Sequence, residues 1–106
     1  MQRKKVFISS IQSEFAAERQ ILFDYLTSDV LLGKFFEPFI FERTPAKNQS
    51  AQKVYLDHVR MCDIYIGLFG EKYGIEDAAG VSPTEREYDL SAELHKTRLI
   101  YIKNTL

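Results

Sequence analysis

At 106 residues the chain has room for one hydrophobic core and no second one. Fourteen basic against fifteen acidic residues leave a formal charge of −1, which excludes a broad electrostatic footprint for nucleic acid or an anionic membrane. The single cysteine, Cys62, cannot form a disulfide within the chain and suits a reducing compartment.

The basic start, Arg3, Lys4 and Lys5, leads into a short apolar run and then serines, which is a solvated strand lead-in and not a secretory leader. KKVFISS predicts a first strand over residues 5–9. From Ser13 to about Thr27, Phe15, Leu22 and Leu26 recur at helical spacing among charged residues, which predicts a first helix. A loop around Gly33 leads to FEPFIFER, an aromatic strand in which Pro38 belongs at the start or on an unpaired edge. The apolar stretch VLLGKFFEPFIF is broken by Lys34, Glu37 and Pro38 and is too short to span a bilayer. TPAKNQS reads as a loop, and Tyr55, Leu56, Val59 and Cys62 then mark one face of a second helix. DIYIGLF, the most apolar strand, should be central. GEKYGIEDAAGVS is a glycine-punctuated loop, a third helix follows it, and RLIYIK makes a fourth strand.

Alternating strands and helices predict an α/β three-layer sandwich around a four-stranded parallel sheet of order 2-1-3-4. The chain then reverses direction between strands 1 and 3, and the crevice beyond their carboxyl ends is where such sheets bind ligands. Its expected lining is Ser9, Ser10 and Gln12 after strand 1, Glu42 and Arg43 after strand 2, and Phe69, Gly70, Tyr73 and Gly74 after strand 3. Because no closing helix follows strand 4, the expectation is a single domain over residues 1–106, truncated at its carboxyl end and forming the N-terminal piece of a longer protein.

The third helix carries more acid at its start than capping requires. Ser82 suits the N-cap, Pro83 the first helical position, and Glu85 can reach back to the Ser82 amide. Glu87 lies about 200° from Glu85 around the helix. It heads the stripe of Leu90, Ser91 and Leu94 that faces the sheet, so it points toward the crevice. Two roles are open to it. Its oxygens can anchor amides of the loop after strand 3, or the carboxylate can serve as nucleophile or electrostatic stabiliser for an oxocarbenium-like transition state. A nicotinamide leaving group departs neutral from a cationic ring, so one carboxylate suffices for such a cleavage.

Other constellations carry less. The glycines of GLFGEKYG fit neither a dinucleotide fingerprint nor a P-loop, although Tyr73 could stack on a base or ribose. His58 and Cys62 are four residues apart, but nothing completes a metal site, and a core cysteine beside a surface histidine is the simpler reading. Neither Ser9 nor Ser10 has a histidine base within reach. Arg19, beside Glu18, reads as a structural ion pair or loop cap, with phosphate binding as the lesser alternative. Arg43 and Lys72 are loop cations open to a phosphate or to solvent.

The blocks KKVFISSIQSEFAAER, CDIYIGLFGEKYG, SPTEREYDLSAEL and RLIYIK resemble, in order and nearly end to end, the domain of unknown function 4062. That family is similar to TIR domains and to nucleoside 2-deoxyribosyltransferases, a flavodoxin-like group. The resemblance implies a cytoplasmic N-terminal module of a larger regulatory, ATP-binding or defence-type protein. In the enzymatic members a Glu on a helix after a central strand acts on the ribose carbon, and by motif position Glu87 matches it, while Ser9 and Ser10 match the end of the first strand. The Asp pattern that deoxyribosyltransferases use on the base is missing, so base specificity does not carry over. The implied ligand is a nucleotide or nucleoside such as NAD, with cleavage of its N-glycosidic bond. The rival is a non-catalytic interaction or sensor module that self-assembles and signals to downstream domains. No resident cofactor, metal, direct nucleic-acid contact or membrane contact is expected in either case.

Overall fold

A computed structural model describes residues 2–43, 51–74, 76 and 78–103. Strands β1 (Lys4–Ser9), β2 (Phe36–Phe39), β3 (Ile64–Phe69) and β4 (Thr97–Ile102) form one parallel sheet in the order β2-β1-β3-β4, the order expected from the sequence. The register pairs Val6 with Pro38 on one side and with Ile64 on the other. β2 is an edge strand, so Pro38 can turn its missing donor away from the ladder.

The period-2 alternation of β1 and β3 sends their side chains to two different cores. Val6, Ile8, Ile66 and Leu68 pack with Leu22, Phe23 and Leu26 of helix α1 (Ala16–Ser28). Phe7 and Tyr65 pack on the opposite face with Tyr55 and Val59 of helix α3 (Ala51–Met61), Cys62 just beyond its end, and Tyr88 of helix α4 (Pro83–Glu93). Ser9 continues the Phe7 face and so points under α4. Lys96 holds α3 in place: its ammonium donates to the carbonyls of Arg60 and Cys62, both at 2.7 Å, at the negative end of that helix.

Several local expectations need correction. α1 begins at Ala16 instead of Ser13, because residues 11–15 form a loop that ends with Phe15 in the left-handed region at φ 62°. That conformation costs about 1 kcal/mol, offset by packing Phe15 onto the β1–β3 core. The expected loop around Gly33 contains a one-turn helix, α2 (Leu32–Phe35), whose first amides are capped by the Asp29 carboxylate. β2 ends at Phe39, and residues Phe41–Arg43 form a 3-10 turn. His58 is half-buried and stacks on Phe39 at 3.7 Å between ring centroids; burial lowers its pKa. Leu94, expected on the buried stripe, is 43 % exposed because it sits at the C-cap, beyond the sheet contact.

Gly74 illustrates how tightly the loops over the sheet approach one another. Its φ is 97°, and a Cβ there would lie 2.8 Å from Ile11 Cδ1. Gly74→Ala is expected to lower stability by about 2 kcal/mol in urea denaturation, from combined backbone strain and overlap. A loss below about 0.5 kcal/mol would show that the two loops separate freely.

Candidate active site

Two loops and one helix start converge beyond the carboxyl ends of β1 and β3. The β1–α1 loop is fixed by Arg19, which is fully buried. Its Nη1 donates to Ser10 Oγ (2.6 Å) and to the carbonyls of Ile11 (2.9 Å) and Glu14 (2.6 Å). Its Nη2 donates to the Gln12 carbonyl (2.9 Å) and to Glu42 (2.8 Å), and its plane lies 4.6 Å from the Phe41 ring centroid. The guanidinium is consumed by these contacts, so Arg19 is the loop cap and not a phosphate ligand. The same contacts engage Ser10 and Glu42, both expected on the pocket wall, as structural partners. The Arg43 side chain lies outside the described residues.

The start of α4 follows the sequence with one substitution of partner. Ser82 Oγ accepts from the Glu85 amide at 3.2 Å, and Pro83 opens the helix. The Ser82 amide, however, donates to Tyr73 Oη (3.3 Å), and Tyr73 Oη donates to Glu85 (2.8 Å). Tyr73 thus bridges the two halves of the capping box, and Glu85 raises its phenol pKa.

Glu87 points inward, as its place on the helix requires, and is 8 % exposed. Its Oε1 accepts from Ser9 Oγ at 2.7 Å, across 78 residues of sequence. Burial pushes its carboxyl up to about 7, with the Ser9 hydroxyl tempering the rise. The amides of the loop after β3 donate to a different carboxylate, that of Glu14, which accepts from Glu71 and Lys72, so the anchoring role open to Glu87 falls to another residue.

Tyr65 lies beside this pair and is fully buried. Its hydroxyl is close enough to Ser9 and Glu87 to feel both, yet it makes no hydrogen bond within the described residues, and burial raises its phenol strongly. The missing bond is the better guide to its energetics, because an orphaned hydroxyl costs about 1 kcal/mol or more. Tyr65→Phe should therefore match or exceed wild-type stability, by up to about 1 kcal/mol in chemical denaturation. A clear loss would reveal a hydrogen-bond partner.

Two adjoining cavities flank the start of α4. One, about 270 Å³, is walled by Phe69, Gly70, Lys72, Tyr73 and Thr84, with Tyr88 below. The other, about 260 Å³, is walled by Gln12, Ser13, Gly74 and Pro83 and shares Ile11 and Thr84 with the first. Gln12, Phe69, Gly70, Tyr73 and Gly74 thus wall these two adjoining cavities, whereas Ser9 and Glu87 line neither and lie buried beneath the start of α4. Ile11, Thr84 and Tyr88 were not read from the sequence. Thr84 and Tyr88 sit three residues before and one after Glu87, a spacing that places them at the crevice once the helix start is known.

A third cavity, about 300 Å³, lies beside β2, walled by Lys5, Glu37, His58 and Cys62. It is slightly larger, but the chemistry favours the other end. Burial raises the pKa of the Cys62 thiol and lowers that of His58, disfavouring the charged form of each, and ligands of parallel sheets sit at the carboxyl ends. Among the described residues no group of three or more His, Cys, Asp or Glu could hold a metal, and no helix is long and apolar enough to cross a membrane.

Known proteins place this geometry in context. A solved structure, a 2-desoxiribosyltransferase from Leishmania mexicana, superposes with a TM-score of 0.64 at 21% identity, covering 96% of this chain and 66% of that one. At that identity the likeness establishes the flavodoxin-like α/β fold, over about two thirds of the neighbour's length. No curated protein matches the chain. The sequence profile described as Domain of unknown function (DUF4062) matches residues 5–106, all but the first four, and the chain belongs to that family.

Proposed function

We propose that the crevice binds a nucleotide or nucleoside, with NAD as the model substrate, and that Glu87 assists cleavage of its N-glycosidic bond. The observation that carries the proposal is the buried Glu87–Ser9 pair at the carboxyl end of β1, beside the crevice at the strand-order reversal. The name of the Leishmania mexicana neighbour, a 2-desoxiribosyltransferase, points to the same bond class.

In the proposed reaction the C1′–N bond breaks and the nicotinamide ring takes the electron pair, leaving as a neutral base. Positive charge then builds on the ribose. An ionised Glu87, in a site from which water is largely excluded, stabilises that charge or bonds to C1′. Water completes the reaction at C1′ and releases its proton to solvent. Ser9 holds the carboxyl in orientation throughout. Because a carboxyl near 7 is only partly ionised at neutral pH, turnover should climb as pH rises through about 7. Chromatography of bases released from NAD and from 2′-deoxynucleosides tests the substrate class, and a pH profile flat between 6 and 8 would contradict the role of Glu87.

A second reading, an assembly or sensor module, has one observation in its favour. β4 is an edge strand exposed on both faces, with Leu99, Tyr101 and Ile102 at 45 %, 59 % and 75 %. Light scattering of wild type beside Tyr101→Lys tests it; a concentration-dependent oligomer lost in the variant would favour this reading.

A further inference from the structure

Two consecutive main-chain amides in the loop after β3 point at one anion. The N–H groups of Glu71 and Lys72 donate to Glu14 Oε2 and Oε1 at 3.2 and 3.4 Å, from 57 and 58 residues away in sequence. Gly70 permits the approach, since a Cβ on it would overlap the Glu14 carboxylate. Both bonds are long for N–H to oxygen contacts, so the carboxylate is held loosely. The seat adjoins the crevice, because Gly70 and Lys72 also wall the 270 Å³ cavity alongside the hydroxyl-bearing Tyr73, Ser82 and Thr84. Two lysines are attached to the surrounding chain. One is Lys72 itself. The other is Lys103, whose amide bonds the Phe69 carbonyl at 2.8 Å and whose ammonium lies 5.9 Å from the ring of Phe15, the residue after Glu14.

Paired amides with a glycine at closest approach form the kind of concavity that holds phosphates. We infer that the Glu71–Lys72 amides form a phosphate subsite of the crevice, filled in this structure by the Glu14 carboxylate, and that a nucleoside 5′-monophosphate enters by displacing Glu14. A phosphate has three terminal oxygens where the carboxylate has two, so it can meet both amides and still face a lysine. Glu71 and Glu85 oppose a second anion, and Glu14 must leave its seat. A ligand without phosphate gains nothing from that exchange, and the seat therefore selects nucleotides over nucleosides. The selection of nucleotides rests on the proposed reading of the crevice; the phosphate seat does not.

The test is a titration of ¹⁵N-labelled wild type, Glu14→Ala and Glu14→Gln with inorganic phosphate, AMP and adenosine, following the Glu71 and Lys72 amides. In Glu14→Ala, phosphate should shift both amides saturably and bind about tenfold or more tightly than in wild type, with AMP favoured over adenosine by a similar factor. Glu14→Gln, which keeps the shape but loses the charge, should fall between. Absence of a saturable shift in folded Glu14→Ala and Glu14→Gln, or equal phosphate affinity in all three proteins, would overturn the inference and leave Glu14 as a staple between two loops. Phosphate binding at these amides without binding of AMP or adenosine would uphold the seat and overturn the nucleotide reading of the crevice.

Discussion

Arg19→Met is expected to destabilise the domain by about 3 to 5 kcal/mol, enough to leave little folded protein at physiological temperature. The effect follows from what the guanidinium holds. It satisfies the carbonyls of Gln12 and Glu14 and the hydroxyl of Ser10, which have no other donor among the described residues, and shares the Ile11 carbonyl with the Glu14 amide. The Glu42 ion pair contributes a smaller share, because the Glu42 side chain is 30% exposed and can rehydrate. Glu42→Ala, which leaves the buried Arg19 guanidinium without its carboxylate, should cost about 2 to 3 kcal/mol. Arg19→Lys keeps the charge but presents a single ammonium that cannot span four acceptors, so it should behave much closer to methionine than to arginine. Urea denaturation of the three variants checks the ranking. An Arg19→Met protein within about 1 kcal/mol of wild type would mean that the β1–α1 loop is held by something else.

Glu87→Gln is expected to separate stability from activity. The folded-state carboxyl titrates near 7, above the ordinary value of 4.5, because burial disfavours the charge. Below 4.5 the group is protonated whether the chain is folded or not, and it costs nothing. Between 4.5 and 7 the unfolded chain loses the proton while the folded one keeps it, so stability falls as pH rises. Above 7 the loss is complete, at about 3 kcal/mol. Glutamine keeps a carbonyl oxygen for the Ser9 hydroxyl and carries no charge. The variant should therefore match wild type at pH 4 to 5 and exceed it by up to about 3 kcal/mol at pH 8. The proposed glycosidase activity should drop on the order of a thousandfold, since the developing ribose cation loses its countercharge. Identical pH–stability curves for the two proteins would show that Glu87 is solvated in the folded state, contrary to its burial.

The sheet order was legible because four apolar strands alternate with amphipathic helices, and a right-handed crossover leaves few arrangements for that sequence of elements. Glu87 was legible for a similar reason: a proline and a capping serine fix the helix start, and helical spacing then decides which acid faces in. The start of α1 was not, because three main-chain carbonyls bonded to Arg19 override the local preference of residues 13–15 for helix. Glu14 was hidden on the same ground. Its partners are amides 57 and 58 residues away, and no local pattern signals a contact made by backbone across two loops. Tyr73 read as an exposed aromatic ready to stack on a ligand, whereas its hydroxyl is engaged at the start of α4 and only its ring remains on the crevice wall.

Nicotinamide release from NAD by wild-type protein beside Glu87→Gln, with circular dichroism to establish that both are folded, decides the role of Glu87. Release by wild type should increase through pH 7 and disappear in the folded variant. Equal release by both proteins would remove Glu87 from the chemistry. No release from wild type, at concentrations high enough to drive self-association, would contradict the glycosidase proposal and leave the Glu87–Ser9 pair as a buried tie between β1 and α4.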